Sequence, residues 1–214
     1  MDEEVTIIDS NARNERIKNF FINNKKKLTI TISIILVIII GFLSFEKSKE
    51  RTKIKLANQY NLALIDLNPD NKKKTIKEMV NVVKSNDATY SPLALYHLLD
   101  NNLLEDNDEI NILFNELIEK TNLENEIKNL VIYKKALFNS DLVSENELLQ
   151  MLNPIINSES IWKSHALYLL AEFFYSKDEK QKAKEFFNQI LVLSNASSTI
   201  KLESQKRLNR DLGE

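Results

Sequence analysis

The chain has 214 residues and a formal net charge of −2, room for one domain plus an appendage, and residues 46–214 have no basic bias, which gives nucleic-acid binding little support. It contains no cysteine, which excludes disulfides, thiolate metal sites and a cysteine nucleophile. Its two glycines are Gly41 and Gly213, so residues 46–212 cannot build a glycine-rich phosphate-binding loop. Sheet turns normally need glycine as well. With three prolines and abundant Leu, Ile, Lys, Glu and Asn, the composition predicts an all-α protein. The many Asn, Ile and Lys residues read as the mark of an AT-rich genome.

Residues 1–27 form a tail with two parts. Residues 1–10 are acidic and predicted to be disordered. Ile17, Phe20 and Phe21, with Lys18, Lys25 and Lys26, read either as a short amphipathic helix at a membrane surface or as a helical extension of the apolar run that begins at Leu28. Residues 28–45 carry no charge. At 1.5 Å per residue this run, from Leu28 through Ile35 and Ile40 to Phe45, spans about 27 Å, close to the hydrocarbon thickness of a bilayer. A soluble core helix is rarely apolar on every face. The exit Gly41-Phe42-Leu43-Ser44-Phe45-Glu46 lacks the small-residue pattern of a signal-peptide cleavage site. The run is therefore predicted to be one uncleaved transmembrane helix. Lys25, Lys26 and Lys27 abut it, whereas Lys47, Lys49, Arg51, Lys53 and Lys55 are interrupted by Glu46 and Glu50. The tight lysine cluster places the N-terminus in the cytoplasm and residues 46–214 on the far side.

Residues 46–214 hold 23 Lys/Arg and 26 Asp/Glu, and divide into helical segments with short polar joints. The predicted helices are 48–67, 70–85, 91–103, 107–120, 123–138, 144–156, 159–176, 179–193 and 198–210. They form four antiparallel pairs and a closing helix, and the first runs on from the apolar span. Asp70, Ser91 before Pro92, Thr121 with Glu124, Ser144 with Glu147, and Asp178 with Gln181 are read as helix starts. Pro154 is expected to end its helix. Regular pairs suggest a repeat array. The clearest unit is "SHALYLLAEFFYSKDEKQKAKEFFNQILVLSNAS", residues 164–197. Leu170, Ala171, Phe174, Ala183 and Phe187 fall where a tetratricopeptide hairpin places its packing residues. Ala171 and Ala183 allow close helix approach, and the larger three fill the space around it. Residues 91–120 and 127–156 repeat the pattern in degenerate form. The last helix, with Ile200, Leu202 and Leu208 among many charges, reads as a cap. The fold expected is thus a transmembrane helix followed by an α-solenoid of tetratricopeptide-like hairpins.

This layout resembles the family of bacterial inner-membrane proteins typified by the ancillary SecYEG translocon subunit (YfgM-like). The resemblance covers nearly the whole chain. It is carried by "IKNFFINNKKKLTITISIILVIIIGFLSFEKSK", "ATYSPLALYHLL" and "WKSHALYLLAEFFYSKDEKQKAKEFFNQIL". It implies repeats in the periplasm, association with the Sec translocon and a membrane-anchored chaperone, and help to secreted or envelope client chains as they emerge. The chain departs from the family in its Gly- and Ala-poor repeats and in lacking the Trp before the anchor, which leaves the exact partner open. An assembly scaffold for the cell envelope and a cytosol-facing adaptor of inverted topology are alternative readings.

No nucleophile–base arrangement can be argued, and the expected role is binding, not catalysis, with no cofactor, metal or small-molecule substrate and with membrane lipid around the anchor. His97 and His165 lie two repeat lengths apart, which suggests equivalent places in the stack, too far apart to share one ion. Glu105, Asp106, Asp108 and Glu109 lack the spacing and glycine of a calcium loop and read as a solvated helix start. Lys72, Lys73 and Lys74 form a solvated face or touch anionic lipid. Trp162, Phe173, Phe174, Phe186 and Phe187 are core by their helical spacing, with a peptide groove as the alternative.

Overall fold

The computed structural model describes residue 13 and residues 15–67 and 70–213, so the disorder expected for residues 1–10 lies outside the described residues. The elements are α1 (Asp2–Ile65), α2 (Lys72–Val83), α3 (Tyr90–Asp100), α4 (Asn107–Lys120), α5 (Asn125–Asn139), α6 (Glu145–Ile156), α7 (Lys163–Ser176), α8 (Lys180–Val192) and α9 (Ser198–Asp211). Among the described residues there is no strand. The chain divides into two compact units, Met1–Lys55 and Leu56–Glu214.

In the first unit the whole of the apolar run is helical, and its large side chains face outward: Ile35 is 49% exposed, Ile40 62% and Phe45 61%. No Pro interrupts this helix and the one glycine, Gly41, has open space around it. The hydroxyls of Thr29 and Thr31 donate to the carbonyls of Lys25 and Lys27 at 2.8 and 2.9 Å. Such bonds satisfy polar atoms within the helix, as a low-dielectric surround requires.

The second unit is built on a regular beat. Helices α2, α4, α6 and α8 begin at Lys72, Asn107, Glu145 and Lys180, steps of 35, 38 and 35 residues. Helices α3, α5, α7 and α9 begin at Tyr90, Asn125, Lys163 and Ser198, with the same three steps of 35, 38 and 35. Packing follows chain order: each of α2 to α8 lies against its successor, and the other substantial contacts join helices two apart. The most extensive contact joins α7 and α8, whose joint is only residues 177–179, so the chain must reverse there. One detail differs from the expected pairing. Helix α2 packs chiefly on α3, because buried Ser91 of α3 donates to the Val82 carbonyl at 2.9 Å and ties the end of α2 down.

Two clusters of buried apolar residues run through this unit. One extends from Ala63 and Met79 to Val131, the other from Ala136 to Leu208. Helix α5 contributes to both, Val131 to the first and Ala136 to the second. Each fully buried Leu or Phe stabilises by about 1.5–3 kcal/mol. Asn111 and Asn139 exchange two side-chain hydrogen bonds, 3.0 and 2.8 Å, between α4 and α5. Asn139 is only 5% exposed and also donates to the Lys135 carbonyl. The pair is satisfied by itself and fixes the register of the two helices.

The helix ends correct part of the sequence reading. Ser144 and Glu147 form a reciprocal capping box. Thr121 does not cap α5: it closes α4, its hydroxyl donates to Asn86, and Glu124 takes the N-cap position. Ser91 is not the cap of α3, since the Asp87 carboxylate already accepts from the N–H groups of Thr89 and Tyr90. Asp178 does not start α8. It ends α7 with φ of 60°, and the N–H of Glu179 reaches back to the Phe174 carbonyl at 2.9 Å, a Schellman closure. Asn102 does the same for α3, at φ of 49°, with Leu103 bonded to the Leu98 carbonyl at 2.9 Å. Asn86 is also left-handed, at 57°. Asn and Asp are the residues besides glycine that tolerate this conformation, so here they end helices in a stretch that has no glycine. Helix α6 continues two residues beyond Pro154, to Ile156.

Candidate functional site

Two regions can act on something outside the chain: the apolar span with its basic flank, and the surface of the helical unit. The described part of α1, Glu15–Ile65, is long and apolar enough to cross a bilayer, with a mean hydropathy of 2.7 in its most apolar window. Lys25, Lys26 and Lys27 lie directly before Leu28, and all three are exposed. Successive side chains on a helix point about 100° apart, so the three ammonium groups form a collar around α1 and do not share one face. Ile17, Phe20 and Phe21 are also exposed, at 49%, 57% and 57%.

In the helical unit the five residues expected to pack the 164–197 hairpin converge. Leu170, Ala171, Ala183 and Phe187 are fully buried and Phe174 is 1% exposed, all in the second core. Phe174 stacks on Phe186 with ring centres 5.5 Å apart, and Tyr168 meets Phe187 edge-on at 5.5 Å. These aromatic rings fill the core, so the groove alternative fails for Phe173, Phe174 and Phe187. Trp162, half-buried, borders an open pocket of about 220 Å³ with Ile161 and His165. Tyr133 stacks on Trp162 at 5.9 Å, and His165 packs on Trp162 at 5.2 Å. The aromatic trio thus packs on itself.

The two histidines are not equivalent. His97 lies in the last turn of α3, its Nδ1 3.2 Å from the Asn101 amide. His165 lies in the first turn of α7, where burial lowers its pKa. Among the described residues no group of three His, Asp or Glu side chains could hold a metal ion. Asp106 caps α4 by accepting from the Asp108 N–H at 2.8 Å, and Glu105, Asp106, Asp108 and Glu109 are all exposed. Lys72, Lys73 and Lys74 are exposed at the start of α2.

Sequence reasoning missed two features. Arg207 of α9 forks onto Glu172 of α7, with Nε–Oε1 at 2.7 Å and Nη2–Oε2 at 2.5 Å, and also bonds Asp211. Its guanidinium lies 4.2 Å from the Tyr175 ring centre. Hydrogen bonds from Arg210 and Arg207 hold the Asp211 carboxyl down at about 2. Burial first, then the neighbouring Glu172 charge, pushes the Tyr168 phenol up to about 12. This network clamps the closing helix to α7. The second feature is an apolar pocket of about 410 Å³ between the first two turns of α3 and α5, lined by Pro92, Leu93, Tyr96, Ile127 and Leu130, with Glu124 beside them. Leu93 and Ile127 remain 42% and 39% exposed there. The available signal was that α3 carries large apolar residues at Leu93 and Tyr96 in addition to its buried Ala94, Leu95 and Leu98.

Compared with known proteins, the chain matches no family model, no curated protein and no solved structure.

Proposed function

We propose that this protein is a membrane-anchored protein-binding module. In this reading its Leu56–Glu214 unit is an α-solenoid of tetratricopeptide-like hairpins, and its apolar helix holds that unit at a bacterial inner membrane. The observation that carries the proposal is the repeated step of 35, 38 and 35 residues in both series of helix starts. A stack in which helices touch mainly their chain neighbours presents a long surface to a partner. Anchoring confines that surface near the bilayer and raises its effective concentration for any membrane-bound partner. The mechanism is binding, not chemistry.

The resemblance to ancillary translocon subunits supplies the specific assignment. The N-terminus lies in the cytoplasm, the repeats lie in the periplasm, and the partners are the Sec translocon, a chaperone and emerging client chains. The lysine collar at residues 25–27 supports this orientation. The test exchanges Leu28–Phe45 for an unrelated apolar span of equal length and measures recovery of the Sec channel with the full chain. Recovery should fall several-fold, and unchanged recovery counts against a role for this span in the association.

A further inference from the structure

The geometry points to the cleft between α3 and α5 as a binding site for a short extended peptide that carries an apolar residue between a basic and an acidic one. This rests on the binding-module reading and gives it a site and a ligand chemistry. The cleft follows both helices in the same chain direction. It starts at Ala88 and Thr89 on one side and Glu124 on the other, and continues to Tyr96 and Leu130. Lys134 of α5 lies over the Tyr96 ring, its Nζ 4.5 Å from the ring centre. From Glu124 to Lys134 is about 15 Å along α5, and from Tyr90 to Tyr96 about 9 Å along α3, at 1.5 Å per residue.

The two ends differ in charge. Glu124 is exposed and its side chain makes no cap bond, while Asp87 occupies the free N–H groups of α3 beside it. The two helix N-termini bring about half a positive charge each, so two carboxylates leave that end negative. Lys134 makes the other end positive. Between them the walls are apolar. An extended chain advances about 3.3 Å per residue, so five residues place a cation at Glu124, a ring in the pocket and an anion at Lys134.

The probes are end-capped, fluorescently labelled peptides titrated against the full chain in detergent micelles. Lys-Ala-Phe-Ala-Asp should bind at least fivefold tighter than Gln-Ala-Phe-Ala-Asn, and replacing its Phe by Ser should abolish binding. Glu124→Lys should shift the preference to Asp-Ala-Phe-Ala-Asp, and Lys134→Glu to Lys-Ala-Phe-Ala-Lys. Both substitutions are at side chains outside the core, and circular dichroism checks that helix content is unchanged. Absence of binding at millimolar peptide, or a preference that neither substitution moves, overturns the site. Cross-linking of the full chain to the Sec channel, run in parallel, separates the two claims. If it persists while peptide binding fails, the cleft falls and the module stands; if both fail, both fall.

Discussion

The two cores of the Leu56–Glu214 unit are assembled differently. The first, from Ala63 to Val131, is aliphatic: Met79, Val82, Val83, Leu95, Leu98 and Leu113 surround a single buried ring, Phe114. Its helices are pinned by neutral hydrogen bonds, Ser91 to the Val82 carbonyl and Asn111 to Asn139. The second, from Ala136 to Leu208, sets Phe173, Phe174 and Phe187 against Ala166, Ala171 and Ala183, and its last helix is held by a guanidinium–carboxylate fork. Large rings opposite alanines give a pattern that survives in sequence. Interchangeable aliphatics do not, because Leu, Ile and Val fill similar space with little loss. The same backbone rhythm can thus be announced by one core and concealed by the other.

The largest expected effect breaks the ring-against-alanine contact. Phe187→Ala should destabilise by about 3–5 kcal/mol, more than Leu113→Ala does at the low end of its range of about 2–5 kcal/mol. Urea titration followed by circular dichroism measures both, and equal losses would erase the contrast between the cores. Next in size is the neutral pin beside the first core. Asn139→Ala leaves Asn111 without its reciprocal partner and should cost about 1–3 kcal/mol. A loss below a few tenths would show that the pair does not hold α4 on α5.

The smallest effect concerns the charged clamp. Asp211 has a folded value depressed to about 2 from an ordinary carboxylate value of about 3.9. Its stabilising contribution is therefore complete above about pH 4 and is lost as the pH falls through about 2. Comparing wild type with Asp211→Asn across that window should show a stability difference that shrinks with acidity. A difference independent of pH would remove Asp211 from the clamp.

The features legible in the sequence are those whose physics is local. The apolar run is legible because a bilayer demands an uninterrupted length. The Ser144–Glu147 start is legible because a capping box is reciprocal. Thr121 with Glu124 has the same spacing and fails, since the hydroxyl serves Asn86 across the fold, a partner 35 residues away that local spacing cannot reveal. Asp178 misleads because the same short acid suits an N-cap and a left-handed helix end. The asparagines that look like base composition include Asn86, Asn102 and Asn139, which end helices or pin them. The α3–α5 cleft is hidden because it depends on the rotational phase of two helices whose apolar residues cover more than one face.

The central claim is that an anchored helix carries a binding unit on the far side of the inner membrane. The most direct measurement fuses, after Glu214, a reporter active only in the periplasm and, in a matched strain, one active only in the cytoplasm. The account predicts periplasmic activity and a silent cytoplasmic reporter. Cytoplasmic activity with a silent periplasmic reporter would contradict it and turn the search for partners to the cytosol.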